Sequence, residues 1–182
     1  LLETALRGIV ANEQLDDVIV FNALAEPVIR ISRSSFPPIG YDVDLTVPAR
    51  LGWVSVQSVL AGLTDNQGDK FVDIISYDNL SVVYFVASVR DEQNEIVGGI
   101  AAGISERNLL RLLTTQALAE VALYFNDSQL VTSSFVDEAA LVNQTTPIME
   151  TLLAQPTNIE SPIEEISINN VPYQILFTDW DL

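Results

Sequence analysis

Arg50 and Trp53 are the two residues whose types and spacing best fit recognition of a small molecule. A guanidinium pairs well with a ligand carboxylate, and an indole close by in the chain can cover the apolar part of the same ligand. The alternative interpretation is a surface salt bridge beside a core tryptophan. We predict that both side chains line a ligand pocket.

Asp73, Ser76 and Tyr84 are polar residues within two apolar stretches that have the pattern of β-strands. In an antiparallel sheet such residues can face one helix and orient a ligand through hydrogen bonds. Asp73 and Ser76 have opposite parity, so alternation alone does not place both on one face. Polar strand residues facing solvent are the alternative. With Arg50 and Trp53, these three residues complete the predicted ligand-binding set.

The chain contains neither histidine nor cysteine. This excludes imidazole bases, Ser-His and Cys-His nucleophiles, and nearly every zinc or iron site. Carboxylate pairs of the glycosidase or aspartic-protease kind stay open, but 25 acidic residues make chance pairs plentiful and no Asp-Thr-Gly signature is present. We therefore predict that the chain has no catalytic residues, is not an enzyme and carries no cofactor.

Two acidic stretches are weak candidates for cation binding, the turn Asp65–Asp69 and the pair Asp42 and Asp44. The turn fails the ligand spacing of an EF-hand loop, and no downstream glutamate completes it. The glycine-containing stretch 97–103 does not fit a G-x-G-x-x-G phosphate loop, because it lies inside a strand pattern. We predict no metal site and no phosphate-binding loop.

The net charge of −17 arises from 25 acidic and 8 basic residues. Such a surface repels phosphate backbones and anionic lipid headgroups, which disfavours nucleic-acid binding and docking on a membrane surface. The longest apolar run, Ile96–Ile104, is far shorter than the ~20 residues of a membrane-spanning helix. The chain begins at Leu1 within a helical pattern and not at Met, so we expect an excised piece of a longer protein.

The first part of the chain has the pattern of a helix, a hairpin, a long loop, a second helix and three strands. The predicted ranges are 1–14, 18–32, 33–48, 48–63, 70–76 and 82–104, the last a hairpin around the polar turn 91–95. Pro48 is predicted to start the second helix, with Leu51, Val54, Val59 and Leu63 on its buried side.

The same order of elements then begins again. A helix at 105–116, capped by Ser105, precedes a hairpin over Val121–Phe135, a helix from Asp137 to about Gln155 and two strands around Asn169-Asn170. We interpret this order as a weak internal repeat whose second copy lacks one strand. The predicted fold class is α+β, with two tandem modules of antiparallel sheet flanked by helices, the second smaller and truncated.

The segment Val83–Leu113, VYFVASVRDEQNEIVGGIAAGISERNLLRLL, carries a family resemblance. It resembles the strand, turn, strand and outgoing helix of double Cache domains, the extracytoplasmic PAS-like sensor regions of bacterial transmembrane receptors. Ser88 stands where that pattern usually has proline, and Asn94 where it has the turn glycine. Ala119–Phe135 is similar to the opening hairpin of the membrane-proximal module. The resemblance implies that the two modules are PAS-like Cache modules.

The resemblance also implies a domain plan and a function. The plan has an N-terminal helix, a distal ligand-binding module, a connecting helix and an incomplete proximal module, at 1–14, 15–104, 105–117 and 118–182. The implied function is extracytoplasmic sensing of a small molecule for a histidine kinase, a cyclase or a chemoreceptor. Membrane spans would flank the chain outside this sequence, and homodimers would form through the N-terminal helices.

The best-defined ligand signature of that family is specific for amino acids. In it, an Arg and a Trp-Tyr pair meet an Asp from the sheet, whereas here Val54 follows Trp53 where the signature has Tyr. The implied ligand is therefore a carboxylate or an amino acid. Two alternatives stay open: a dimerisation or protein-interaction module that binds no ligand, and an intracellular PAS-like or GAF-like regulatory domain.

Overall fold

The structure is a computed structural model that describes residues 2–12, 15–33, 41–44, 50–65, 68–77, 80–124, 129–154 and 163–177. Its elements are α1 Leu2–Asn12, β1 Asp17–Asn22, β2 Pro27–Arg33, β3 Tyr41–Asp44, α2 Val54–Leu60, β4 Lys70–Tyr77, β5 Leu80–Arg90, β6 Ile96–Ser105, α3 Glu106–Ala117, β7 Ala122–Tyr124, β8 Leu130–Ser133, α4 Glu138–Leu153, β9 Ile163–Ile168 and β10 Val171–Leu176. The chain folds into two compact units, Leu1–Ser105 and Glu106–Asp181, called here the N-terminal unit and the C-terminal unit. No helix within the described ranges combines the length and the apolar character that a membrane crossing requires.

A six-stranded antiparallel sheet with the order β3-β2-β1-β6-β5-β4 forms the body of the N-terminal unit. The centre of this sheet joins two hairpins that are distant in the chain, because β1 pairs with β6 from Asp17 opposite Gly103 to Asn22 opposite Gly98. Successive side chains of a strand point to opposite faces, so each central strand supplies residues to both faces of the sheet.

Each face of the sheet carries its own hydrophobic cluster. On one face, α2 packs against strand residues in the cluster Ile19, Phe21, Val56, Val59, Val82, Tyr84, Val86 and Ala101. On the other face, α1 packs in the cluster Leu6, Val10, Val18, Ile29 and Ile31. The neighbours Val18 and Ile19 of β1 thus belong to different clusters, as strand alternation requires.

The helix predicted at 48–63 is shorter than expected, because α2 spans only Val54–Leu60. It ends where Gly62 adopts a left-handed φ of 68°, which lets the Gly62 amide donate to Val59 O and the Leu63 amide donate to Ser58 O. Val54 and Leu63, both predicted to be buried, are 73% and 53% exposed. Pro48, the predicted start, lies outside the described residues.

The long loop predicted at 33–48 contains a strand that the pattern does not show. Tyr41–Asp44 pairs antiparallel with β2 and forms an edge of the sheet. A four-residue edge strand needs only the backbone of its neighbour, so it leaves little hydrophobic periodicity in the sequence. The rest of that loop, apart from Arg33, lies outside the described residues.

The hairpin of β5 and β6 forms as predicted, around a turn held by one side chain. Asp91 Oδ1 accepts hydrogen bonds from the amides of Gln93 at 3.0 Å and Glu95 at 2.9 Å. Asn94 has a φ of 66°, a left-handed conformation that asparagine tolerates better than most residues other than glycine. This conformation explains how Asn94 can occupy the position where the family pattern has glycine.

The C-terminal unit consists of α3, α4 and two hairpins. A hydrophobic cluster joins α4 to both hairpins. Leu141 of α4 is buried with Ile166 and Ile168 of β9, and Ala122 and Leu130 of the other hairpin pack against them. The β9–β10 turn is formed by residues 169 and 170, both with left-handed φ, as a two-residue hairpin requires. Residues 125–128, within the predicted hairpin over Val121–Phe135, and residues 155–162, after α4, lie outside the described residues.

Asp137 caps α4 as predicted. Its Oδ1 accepts the amide hydrogen of Ala140 at 2.9 Å, and its Oδ2 accepts a hydrogen bond from the Asn169 side chain at 3.1 Å. These bonds favour the ionised form, the Ala140 amide most, and so hold the pKa of Asp137 below its usual value. The turn of the β9–β10 hairpin is thereby hydrogen-bonded to the start of α4.

Tyr124 of β7 makes a further polar contact with α4. Its hydroxyl lies 2.7 Å from Thr145 Oγ1, which itself donates to Leu141 O at 2.9 Å. Burial raises the pKa of Tyr124 above its usual value, more than the hydrogen bond with Thr145 lowers it, and the charge of Glu138 raises the pKa further.

Candidate functional site

The candidate site lies on the face of the N-terminal sheet that packs against α2. In register across four strands, Asp73 of β4 lies opposite Tyr84 of β5, Tyr84 opposite Gly103 of β6, and Gly103 opposite Asp17 of β1. Directly opposed residues of an antiparallel sheet share a face, so these four residues form one row. The row contains two aspartates and a tyrosine beside the apolar cluster on the same face.

Tyr84 is the centre of this row and is fully buried. Its hydroxyl donates a hydrogen bond to Asp17 Oδ2, across Gly103. A Cβ atom at residue 103 would lie 2.6 Å from Tyr84 Cε1, so the absence of a side chain there leaves room for the ring. The sequence places glycine where the tyrosine crosses the neighbouring strand.

Asp17 is a buried carboxylate, 4% exposed, that also forms an ion pair with Arg30 of β2. Arg30 Nη2 lies 2.6 Å from Asp17 Oδ2, and Arg30 Nε lies 3.0 Å from the same oxygen. A buried charge needs such partners, because an unpaired carboxylate away from water is costly. Asp17, Arg30 and Tyr84 thus form one polar cluster within the sheet.

Trp53 covers the tyrosine from the side of the helix. It stands directly before α2 in an extended conformation, with φ −72° and ψ 145°, and its side chain is half-buried. Its ring centroid lies 4.6 Å from that of Tyr84, and the two ring planes are tilted by 38°. The distance is within the range of favourable aromatic contacts, so the pair forms an aromatic wall beside the polar row.

Asp73 caps α2 from a neighbouring strand. Its Oδ2 accepts the Ser55 amide hydrogen at 2.8 Å, whereas the helix has no side-chain cap of its own at Trp53. Ser55 is 2% exposed, and within the described part of the chain its Oγ has no hydrogen-bond partner. The start of α2 is therefore positioned by β4.

Arg50 is exposed, and the described ranges contain no ion-pair partner for it. The next residue is anchored, because the Leu51 amide donates to Ala25 O in the β1–β2 turn at 2.9 Å. Arg50 thus lies directly before residues 51–53, a segment held by this hydrogen bond at one end and by α2 at the other.

The structure brings together three of the five predicted site residues, Trp53, Asp73 and Tyr84. Ser76 is exposed, and its hydroxyl lies 3.2 Å from that of Ser81 on β5. Being three residues from Asp73 on one strand, Ser76 points to the other face of the sheet. No three acidic side chains in the described ranges come together in a way that could hold a metal ion.

Asp17 and Arg30 belong to the site but were not predicted. The usable signal is a charged residue within an apolar strand pattern: Arg30 stands between Ile29 and Ile31, and Asp17 precedes Val18. Such residues are rarely fully buried unless they are paired. The partner cannot be identified from the pattern alone, since Asp17 and Tyr84 are 67 residues apart in the chain.

No protein-family model matches the sequence, and no curated protein matches it. Solved structures do resemble the fold. The extracellular domain of a histidine kinase superposes with a TM-score of 0.63 at 11% identity, covering 93% of this chain and 72% of that structure. The ligand-binding domain of a Campylobacter jejuni chemoreceptor, solved in complex with 4-methylisoleucine, gives 0.55 at 12% identity, covering 92% of this chain and 62% of that structure.

A domain of a sensory box/GGDEF family protein from Vibrio parahaemolyticus gives a TM-score of 0.57 at 11% identity and covers 74% of this chain. This chain spans about half of that structure, 54% of its length. At such low identity the likeness concerns the fold. By name, the three structures are a domain of a sensory box/GGDEF family protein, the extracellular domain of a histidine kinase and the ligand-binding domain of a chemoreceptor. The predicted resemblance and the predicted α+β class are confirmed at this level: the chain has the PAS-like fold of receptor sensor domains.

Proposed function

We propose that this chain is the extracytoplasmic ligand-sensing region of a membrane-bound signalling receptor and catalyses no reaction. The observation that carries this proposal is the Trp53–Tyr84 aromatic wall beside an ordered polar row, in a fold shared with sensory domains. The ligand binds in the distal module, residues 15–104, and the helix at 105–117 and the proximal module at 118–182 pass the signal on. A histidine kinase, a cyclase or a chemoreceptor output would receive it.

The ligand class that fits the site is a small carboxylate with an apolar part. The Arg50 guanidinium supplies the charge, and the exposed part of the Trp53 ring supplies an apolar surface. Asp73 is the candidate partner for a ligand ammonium group, but one of its oxygens already accepts the Ser55 amide. An amino acid would therefore share Asp73 with α2, whereas a simple carboxylate needs no such contact.

The proposal is tested by calorimetry and thermal shift against matched pairs of ligands, each an amino acid and the same carboxylate without its amino group. We expect binding to require the carboxylate, and Arg50→Ala to weaken it at least tenfold, since a hydrogen bond to a charged group contributes about 1.5–3 kcal/mol. Arg107→Ala is the control, because Arg107 is an exposed arginine of α3. If no carboxylate binds, or if Arg107→Ala has the same effect, the ligand class is wrong. Hydrolytic turnover would end the sensor proposal.

We further propose that the receptor forms homodimers through α1. Leu6 and Val10 of this helix are buried against the sheet, while Leu2 and Ile9 are 49% and 46% exposed and Ala5 is exposed on the same side. A second copy would cover this outer stripe, since the stripe is the same on both copies and two-fold symmetry brings it onto itself.

Light scattering coupled to size-exclusion chromatography tests the dimer. We expect Ile9→Glu to shift the protein towards the monomer, and Val54→Glu, a change at an exposed valine of α2, to leave the mass unchanged. A dimer that binds no ligand of any class would favour the alternative, a module that only dimerises.

A further inference from the structure

Two consecutive aspartates, Asp16 directly before β1 and Asp17 as its first residue, have different hydrogen-bond partners. Asp17 accepts the Tyr84 hydroxyl and pairs with Arg30, on the face of the sheet that packs against α2. Asp16 Oδ2 accepts two hydrogen bonds from Ser105, from its amide at 2.8 Å and from its hydroxyl at 2.7 Å. The two neighbours therefore join the candidate site to the end of β6.

Ser105 is the last residue of the N-terminal unit, and α3 begins at the next residue. The incoming helix is attached at the same place, because the Leu15 amide donates to Val10 O of α1 at 3.2 Å, one residue before Asp16. The side chain and backbone of Asp16 thus stand between the helix that enters the unit and the residue where the chain leaves it.

Gly103 connects the two halves of this arrangement. The Tyr84 ring lies against it, so closely that a Cβ atom there would meet Tyr84 Cε1 at 2.6 Å. Its carbonyl accepts the Asp16 amide hydrogen at 2.9 Å, and Ser105 follows two residues later. A displacement of the Tyr84 ring therefore acts on β6 at Gly103 and on β1 at Asp17.

We propose that Asp16 and Asp17 form the connection through which a change at the Trp53–Tyr84 pair reaches Ser105 and the start of α3. This rests on the proposed sensing function, and it assigns the coupling to named hydrogen bonds. Tyr84 has two arrangements: its hydroxyl donates to Asp17, or a ligand beside Trp53 draws the ring and its hydroxyl away. A ligand that favours the second arrangement shifts the balance by its difference in affinity for the two.

The buried charge makes this connection sensitive. Asp17 is 4% exposed, so bulk water does not compensate for loss of the Tyr84 hydrogen bond, and among the described residues Arg30 is then the partner that holds the carboxylate. A small movement of the Tyr84 hydroxyl therefore changes the position of the Asp17 carboxylate. Because Asp17 is the first residue of β1, the backbone of the preceding residue, Asp16, moves with it.

The test needs no ligand, so its outcome is independent of whether the ligand class proposed above is right. Amide hydrogen exchange is measured by NMR on the whole chain and on Tyr84→Phe, which removes only the hydroxyl. We expect the protection of the Ser105 amide to fall about tenfold more than that of Phe71 on β4, because the Ser105 amide is bonded to Asp16.

Two controls separate coupling from loss of stability. Ile31→Val removes one buried methylene of the same unit on the opposite face, and Tyr124→Phe removes a tyrosine hydroxyl in the C-terminal unit. Neither is expected to lower the protection of Ser105 selectively. Equal loss at Ser105 in Tyr84→Phe and Ile31→Val, or no loss in Tyr84→Phe, would overturn the proposal.

Discussion

Replacing Gly103 by alanine tests the packing on which the site depends. The added Cβ would lie 2.6 Å from Tyr84 Cε1 and 2.9 Å from Val82 Cγ1, both closer than carbon atoms can pack. Tyr84 has no exposed surface, and its hydroxyl is fixed by Asp17, so the ring cannot turn aside without losing that bond. Overpacking of this kind costs about 1–3 kcal/mol, and we expect the upper end of that range.

Urea unfolding followed by tryptophan fluorescence and circular dichroism measures the effect. A loss of about 2–3 kcal/mol lowers the unfolding midpoint by roughly 1–2 M, given the usual dependence on denaturant for a small domain. The matched control is Gly8→Ala in α1, where nothing lies within 4 Å of the new methyl group. Alanine is the better helix former, so this control should stabilise by about 0.5–1 kcal/mol.

Both substitutions replace glycine by alanine, and they are predicted to change the free energy of unfolding in opposite directions. If Gly103→Ala leaves the free energy of unfolding within about 0.5 kcal/mol of the wild type, the close approach of Tyr84 to β6 is wrong. The hydrogen bond from Tyr84 to Asp17 across Gly103 would then be wrong as well.

Three further substitutions have defined outcomes. Leu118→Gly should stabilise by about 0.5–1 kcal/mol in urea unfolding, because this leucine is 90% exposed and has a left-handed φ of 53° after α3. Asp73→Ala should cost about 1–2 kcal/mol through loss of the α2 cap at Ser55, with a loss of helical signal in circular dichroism; an unchanged stability would contradict the capping role. Asp137→Ala should destabilise at neutral pH, where the carboxylate accepts the Ala140 amide. Because the pKa of Asp137 is lowered by folding, this stabilisation is present above the unfolded pKa of about 4 and is lost as the pH falls through the folded value. Unfolding curves at neutral and strongly acidic pH should therefore show a difference between the two proteins that disappears in acid.

The hairpins could be predicted from the sequence because their signals are local. The turn at Asp91 and Asn94 and the turn at residues 169 and 170 each contain the residues that their backbone conformations require. The apolar alternation on both sides then sets the register. β3 was missed because a four-residue edge strand leaves little hydrophobic periodicity in the sequence.

The start of α2 and two residues of the site, Asp17 and Arg30, could not be predicted, for one shared physical reason. Asp73 lies 18 residues from Ser55, and Asp17 lies 67 residues from Tyr84, so each bond depends on the sheet being formed. Sequence reasoning selected Trp53, Asp73 and Tyr84 by residue type, and the structure places these three close together. It could not identify Asp17 and Arg30 as their neighbours, because periodicity reports which residues are buried and not which strands are adjacent.

The cap that β4 supplies to α2 has a consequence for how such a site can change. A helix start normally requires Ser, Thr, Asp or Asn at the residue before its first turn, and here that residue is Trp53. Since Asp73 performs this task from another strand, position 53 is released from it and can hold whatever side chain a ligand demands. New specificities can then be tried at this position while the helix keeps the same first residue.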